Sequence, residues 1–484
     1  MEPRESSTQR KILSGAVWKF SERIMAQVVS LAVSIIIARL LNPSDYGVVG
    51  IVTVFFAFAN VVISGGFNTA LIQKKDADKD DYNTVFTVSM LVALLIYFIL
   101  FVSAPWIAKI YKNDILAGII RILGLSLPVY ALKSIVCAYV SANLKFRMFF
   151  FATLGGTVAS AIVGITMAVN GYGAWALVAQ QLTNTAIDTL ILFMTTKLRL
   201  SVGITMSRLH SLFGYGSKIM LSSLLGGTFN QINPLFIGLK YSSAALSFYT
   251  KGKSLPETLS SSMTYTISSV LFPALAKFQD DKERLLRYTR RYMQVASFIV
   301  FPVMLGFFAI AENFVRIFLT DKWLPAVYYI HIVCLSEMFG VIAVGNCETI
   351  KAMGRSDVFL KIEIAKKIGY FVTLALFLAF TNTPEALAVS LLVCTVIQII
   401  INSIPNIKLI GYKMLYQIKD LVPNLLISAA MCMLVMLLGS VNVPPVFLLV
   451  LQICAGCAAY SILAIVTRNP SLIFLMNIIK RKLK

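Results

Sequence analysis

The sequence predicts an all-α polytopic membrane protein with fourteen transmembrane helices. Three observations point there. Of the 484 residues, 58% are hydrophobic and only 13% charged, with a mean hydropathy of +0.80. Apolar runs long enough to cross a bilayer follow one another with only short connections. Lysine and arginine sort strongly into alternate connections. A soluble domain could not cover that much apolar surface.

Runs of about 20 apolar residues read as spanning helices. Taken in order, they lie near 13–41, 45–72, 82–105, 114–141, 148–169, 173–196 and 211–239. They continue near 243–271, 292–311, 323–350, 358–380, 384–405, 417–439 and 444–467. The opening "MEPRESSTQRK" is polar, and the first apolar run is too long for the core of a cleaved signal, so no signal peptide is expected. The seven cysteines all fall inside apolar spans. The close pair in "CAGC" (454–457) sits among small residues that let membrane helices approach, so packing is expected there rather than redox or zinc chemistry. His210 and His331 stand alone and suggest no metal site.

With the N-terminus inside, the inner connections and the two termini hold 27 Lys and Arg against 5 in the outer connections. Cytoplasmic loops carry this excess in membrane proteins. Both termini are therefore expected in the cytoplasm. The formal net charge of +21 belongs to loops beside anionic lipid, not to a nucleic-acid site.

The eighth span is the unusual one. "KGKSLPETLSSSMTYTISS" (251–269) is too polar to face lipid, yet Leu255, Leu259, Met263 and Ile267 recur every fourth residue as one narrow apolar stripe. Such a helix crosses a membrane only where most of its surface faces protein or a hydrated cavity. A helix lying on the bilayer surface is the alternative. It fails because removing one span would invert every later loop and contradict the charge count. Quieter polar stripes mark three other spans: Lys19, Arg23, Gln27, Ser30 and Ser34 in the first, Thr53, Asn60, Ser64 and Asn68 in the second, Lys218, Ser222, Gly226, Asn230 and Asn233 in the seventh. Lys19 and Arg23, beside Glu22 in "WKFSER", either begin a polar face or snorkel to the inner interface.

Spans 1, 2, 7 and 8 are thus the polar set, opening each half of a faint internal repeat. "IIIARLLNPSDYGVVG" (35–50) resembles "LFIGLKYSSAALSFYTKG" (235–252), and "SANLKFRMFF" (141–150) resembles "KAMGRSDVFL" (351–360). The expected organisation is an N-lobe over 1–205, a C-lobe over 206–412, and two further helices with a basic tail over 413–484. Paired lobes with matching polar helices read as a transporter.

Several stretches are familiar. "ARLLNPSDYGVVG", "ALIQKKD", "GYGAWALVAQQ", "SVLFPALAKFQDDKERL", "DKWLPA" and "KAMGRSDVFLKIEIAKK" resemble the Wzx-type, or teichuronic and colanic acid exporter, branch of the multidrug/oligosaccharidyl-lipid/polysaccharide flippase superfamily. The resemblance covers nearly the whole chain. It implies a MATE/MurJ-like fold of two six-helix lobes plus two helices. It also implies movement of an undecaprenyl-pyrophosphate-linked oligosaccharide from the inner to the outer leaflet by alternating access. The turn "GGFNTAL" departs from the pattern, where an acidic residue is expected ahead of a glycine.

The residues suit that substrate. Lys19, Arg23, Lys218, Lys251 and Lys253 supply cations for a pyrophosphate, with Arg able to grip it bidentately and Lys as a point charge. Asn60, Asn68 and Asn230, with Glu257, supply hydrogen-bonding groups for sugars. These nine are the candidate substrate-binding residues. Glu337, Glu348 and Asp188 are candidates for a coupling Na+ or H+, although a structural role, pairing with a nearby Lys or capping a polar contact, comes first. A drug extruder of the same superfamily is the first rival, but five basic residues against Glu22 and Glu257 favour an anion. A polymerase or ligase on the same lipid-linked glycan is the second, but no long outer loop carries catalytic residues. No cofactor is expected. The bilayer, the lipid-linked glycan and, by resemblance, polysaccharide-assembly proteins are the expected partners of a monomer.

Overall fold

The computed structural model describes residues 25–74, 77–196, 198–276, 278–279 and 281–482. Side chains are described for these except at 215, 225, 228–230, 265–274, 276, 356 and 477–482. Among the described residues the chain is helical with no strand. In order, the helices are α1 (Met25–Leu40), α2 (Pro43–Ser64), α3 (Phe67–Gln73), α4 (Lys79–Ile110), α5 (Ile115–Gly124), α6 (Ser126–Ala142), α7 (Arg147–Val169), α8 (Ala174–Thr196) and α9 (Met206–Lys240). They continue as α10 (Ser243–Ala276), α11 (Lys282–Phe314), α12 (Pro325–Ala352), α13 (Ser356–Phe380), α14 (Pro384–Ile410), α15 (Met414–Leu438), α16 (Pro445–Val466) and α17 (Pro470–Lys482). Helix lies at each of the fourteen expected spans, and nine described stretches are long and apolar enough to cross a membrane. The chain divides into two compact units, Met1–Ser247 and Phe248–Lys484.

In the first unit α7 runs along α8, α2 packs on α9, and α4 packs on α5 and α6. The second expected span is broken. Gly65 (φ 52°) ends α2, its N–H bonding the Val61 carbonyl, and Gly66 (φ 69°) starts α3. Both torsions lie in the left-handed region, which costs an L-side chain roughly 1–2 kcal/mol. Gly66 also lies so close to the α9 backbone at Gly216 that an added methyl would overlap the Gly216 carbonyl. The departing "GGFNTAL" turn is therefore a helix joint. Beyond it, Phe67, Leu71, Tyr82, Val85, Ile135 and Leu212 form one core shared by α3, α4, α6 and α9.

Charge organises the start of α4. Asp78 and Asp81 form a reciprocal capping box, and Lys74 meets both Asp81 oxygens at 2.7 and 2.6 Å. Arg208 pairs with Asp78 and lies 3.4 Å from Asp81. That hydrogen bond from Arg208 holds the Asp78 carboxyl down at about 2. Just before Arg208 the chain is extended. The N–H groups of Ser201, Gly203 and Thr205 bond the side chains of Asn83, Thr87 and Thr84 at 2.9, 3.0 and 3.2 Å.

In the second unit α11 packs on α12 and α15, α12 and α13 on α14, and α15 on α16. The two last expected spans are fastened by polar groups. Arg290 holds Asp420 bidentately at 2.8 Å, and Tyr412 and Gln294 donate to the same carboxylate at 2.9 Å. Asn313 bonds Gln452 at 2.9 Å. Around "CAGC", Gly456 supplies the close approach to Val435 of α15, while Cys454 and Cys457 are exposed.

Candidate functional site

The charged face of α10 is continuous with its helix. Tyr249, Lys253 and Glu257 are spaced by four, so they stack along one side, with Ser260 a further turn on. Lys253 lies 3.4 Å from Glu257 and 5.9 Å from the centre of the Tyr249 ring. Lys251, on another side, lies 5.9 Å from the centre of the buried Trp323 ring. All three ionisable residues are half-buried.

Between the two lysines stands Gly252, and the sequence gives no hint of its task. A methyl there would lie 2.6 Å from Cβ of Tyr329 and 2.8 Å from the Ala326 carbonyl. The glycine thus lets α10 lie directly on α12. Tyr249 meets Tyr329 edge-on with centroids 5.9 Å apart, and Phe248 meets Trp323 at 6.0 Å. Four residues further on, Pro256 has no N–H to give the Gly252 carbonyl. Two turns beyond Tyr329, Glu337 faces the same α10 surface, beside Ser260 and within electrostatic range of Glu257 and Lys253. The result is two lysines, two carboxylates, a buried serine and a set of aromatic rings on one helix seam.

The other sequence candidates fall as follows. Asn60 on α2 and Asn68 on α3 are both half-buried, and the Oδ1 of each is closed off with no hydrogen-bond donor among the described residues. The shared face expected for Thr53, Asn60, Ser64 and Asn68 stops at Ser64, because the glycine joint redirects the chain. Lys218 is exposed on α9. The Asn230 side chain, Lys19 and Arg23 lie outside the described residues.

Two of the three candidate coupling carboxylates have lysine partners, as their pairing reading anticipated. Asp188 on α8 pairs with Lys133 on α6, and Glu348 bonds Lys351 at 3.0 Å. His331 stacks on Phe308 at 4.1 Å and meets its carbonyl. Glu337 is left as the carboxylate that joins α10. Sequence reading found Glu337 but not its place, because the contact joins residues some eighty positions apart. Trp323, Tyr249 and Tyr329 were missed for the same reason: aromatic residues in apolar spans look like core.

Long apolar helices, with a polar helix among them that carries lysines beside aromatic rings, define a polytopic membrane protein. The chain matches, over residues 36–328, the family described as polysaccharide biosynthesis protein, and it belongs to that family. It is 23% identical over 408 residues to an uncharacterised membrane protein in the cps region of Klebsiella pneumoniae, covering 82% of each chain. It is 22% identical over 367 residues to the lipopolysaccharide biosynthesis protein WzxC of Escherichia coli, covering 74% of each. Its fold is similar to that of the lipid II flippase MurJ in an inward closed conformation, with a TM-score of 0.74 at 15% identity over 93% of this chain and 99% of that one.

Proposed function

We propose that the protein moves an undecaprenyl-pyrophosphate-linked oligosaccharide, a surface-polysaccharide precursor, from the inner to the outer leaflet of the bacterial cytoplasmic membrane. The observation that carries this reading is the α10 seam, where Lys251 and Lys253 stand half-buried beside aromatic rings on a helix that we take to span the membrane. A charge there costs roughly 3 kcal/mol of insertion free energy on translocon scales, so it is kept for use. A pyrophosphate offers anionic oxygens that both lysines can meet. The polyprenyl tail stays in lipid, and hydroxyl-rich sugars meet serines, threonines and amides. The similarity to the lipopolysaccharide biosynthesis protein WzxC and the lipid II flippase MurJ supports a lipid-linked glycan as cargo. Lys19, Arg23, Asn60, Asn68, Lys218 and Asn230 belong to the proposed hydrated path. Its frame is the N-lobe over 1–205, the C-lobe over 206–412 and the additional helices over 413–484. Both termini are cytoplasmic and the working unit is a monomer.

Glu257 and Glu337 favour a second reading, since a cation extruder wants a membrane-embedded carboxylate. Lys253, 3.4 Å from Glu257, offsets part of that charge. The carboxylates suit a coupling Na+ or H+ better than a bulky cationic cargo. Coupling matters because one charge crossing 100 mV is worth about 2.3 kcal/mol, and a negative-inside potential itself drives an anionic headgroup outward. Flipping that continues unchanged after ion gradients and potential are collapsed refutes the coupling.

The main test uses a strain lacking the protein. Accumulation of an oligosaccharide-pyrophosphoryl-lipid with loss of surface polysaccharide is expected, restored by the wild type but not by stable Lys251→Ala/Lys253→Ala. Normal surface polysaccharide with new sensitivity to cationic drugs hands the function to the extruder reading.

A further inference from the structure

The segment before α9 is tied to α4 by its backbone: Ser201, Gly203 and Thr205 donate their N–H groups to Asn83, Thr87 and Thr84. Its apolar side chains stand exposed: Val202 is 83% exposed and Ile204 42%, and Met206, the first residue of α9, is 72% exposed.

The position of this strap on α4 says what those side chains meet. Asn83, Thr84 and Thr87 are buried under it. Seven and eleven positions further along α4, on the same side of the helix, stand Leu91, Leu94, Leu95 and Phe98, all exposed. That stripe is the lipid-facing side of a long apolar span. The strap therefore covers the foot of a lipid-facing stripe. Helix α4 has 32 residues, a length of about 48 Å at 1.5 Å each, against a hydrocarbon core of about 30 Å. Centred, it leaves roughly six residues at each end among the headgroups. Thr84 and Thr87 then stand at the hydrocarbon boundary. The ion cluster of Lys74, Asp78, Asp81 and Arg208 stands at the headgroup level, as does its position in the sequence between basic inner loops.

We propose that residues 201–206 are a lipid-facing interfacial anchor, with Val202, Ile204 and Met206 set against the acyl chains of the inner leaflet and the exposed Arg199 against its anionic headgroups. Non-helical backbone is tolerated beside lipid only where protein satisfies its polar groups. Asn83, Thr84 and Thr87 do this for every second N–H, which explains three polar residues on a face that otherwise meets hydrocarbon. The linker between the sixth and seventh spans is thereby held at one depth rather than hanging free in the cytoplasm.

The test places a nitroxide at 202, 204 and 206, one at a time, in the full chain with its seven cysteines replaced, in nanodiscs containing phosphatidylglycerol. Collision with oxygen is compared with collision with a water-soluble nickel chelate. All three sites are expected to show an oxygen-to-nickel ratio several-fold above that at the exposed Glu283. Free access of nickel at all three places the strap in water and overturns the proposal. Shielding from both reagents means protein covers it, and overturns it too. The wild-type chain gives an independent check without substitutions. A lipid with a diazirine at the upper acyl chain is expected to crosslink to the 200–206 peptide as well as to Leu91–Phe98. Crosslinks confined to the latter overturn the proposal.

Discussion

Substituting Gly252 by Ala tests the α10 seam most directly, because two opposed effects give it opposite signs. In an open helix, Gly→Ala stabilises by about 1 kcal/mol through backbone entropy. At Gly252 the new methyl would lie 2.6 Å from Tyr329 Cβ and 2.8 Å from the Ala326 carbonyl. Neither atom is the far end of a flexible chain, so α10 must move away from α12 by the better part of an ångström. Overpacking of this kind costs typically 1–3 kcal/mol. The net expectation is a loss of about 1–2 kcal/mol once the propensity gain is subtracted. Gly340 is the control. It lies on α12 with nothing near its missing Cβ, so Gly340→Ala should stabilise by roughly 1 kcal/mol. Thermal unfolding of the purified proteins in one detergent, followed by tryptophan fluorescence, reads both. Surface-polysaccharide recovery in the deletion strain reads the consequence for Lys251 and Lys253, which the shift displaces. If Gly252→Ala melts at or above the wild type, as Gly340→Ala should, the helices do not meet there and the site built on their contact falls.

Three further outcomes are expected. Breaking the Lys133–Asp188 pair from one side, by Lys133→Met, strands a buried carboxylate and should cost about 3–5 kcal/mol, while Lys133→Met with Asp188→Leu recovers most of it. Equal loss in single and double variants, measured by the same melts, removes the pair from the stability of the first unit. Asp78 has its folded pKa below its ordinary value near 3.8, so its contribution is complete above about pH 4 and fades as pH falls toward about 2. Melting temperature measured down that range should drop less steeply for Asp78→Asn than for wild type, and parallel curves would exclude this group. Gly66→Ala combines a left-handed torsion with a clash at Gly216, and should lose at least 2 kcal/mol; a loss no greater than at Gly340 would show the joint is not as described.

The positions of the helices were legible because apolar length and the sorting of Lys and Arg are both written locally. So was the oddity of α10, whose polar residues outnumber its narrow stripe of leucines and methionine. What was not legible depends on pairs distant in sequence. Glu337 reads identically whether it faces α10 or a lysine, and Asp188 was settled only when Lys133 appeared beside it. Asn83, Thr84 and Thr87 read as an ordinary polar helix start, and Val202, Ile204 and Met206 as an ordinary loop. Only their juxtaposition gives each set a reason. The joint at Gly65–Gly66 was visible as a departure from the family pattern, without a geometry to interpret it.

That joint has a mechanical consequence. Downstream of it, α3 is locked into a core with α4, α6 and α9, and Gly66 rests on Gly216 with almost no clearance. Upstream, α2 ends on a single carbonyl-to-amide contact, from Gly65 to Val61. Because α2 and α3 both pack along α9, the two glycines fix the angle between the helices rather than free it. The joint is thus an elbow: two consecutive left-handed residues turn the chain, and one neighbouring helix braces both arms.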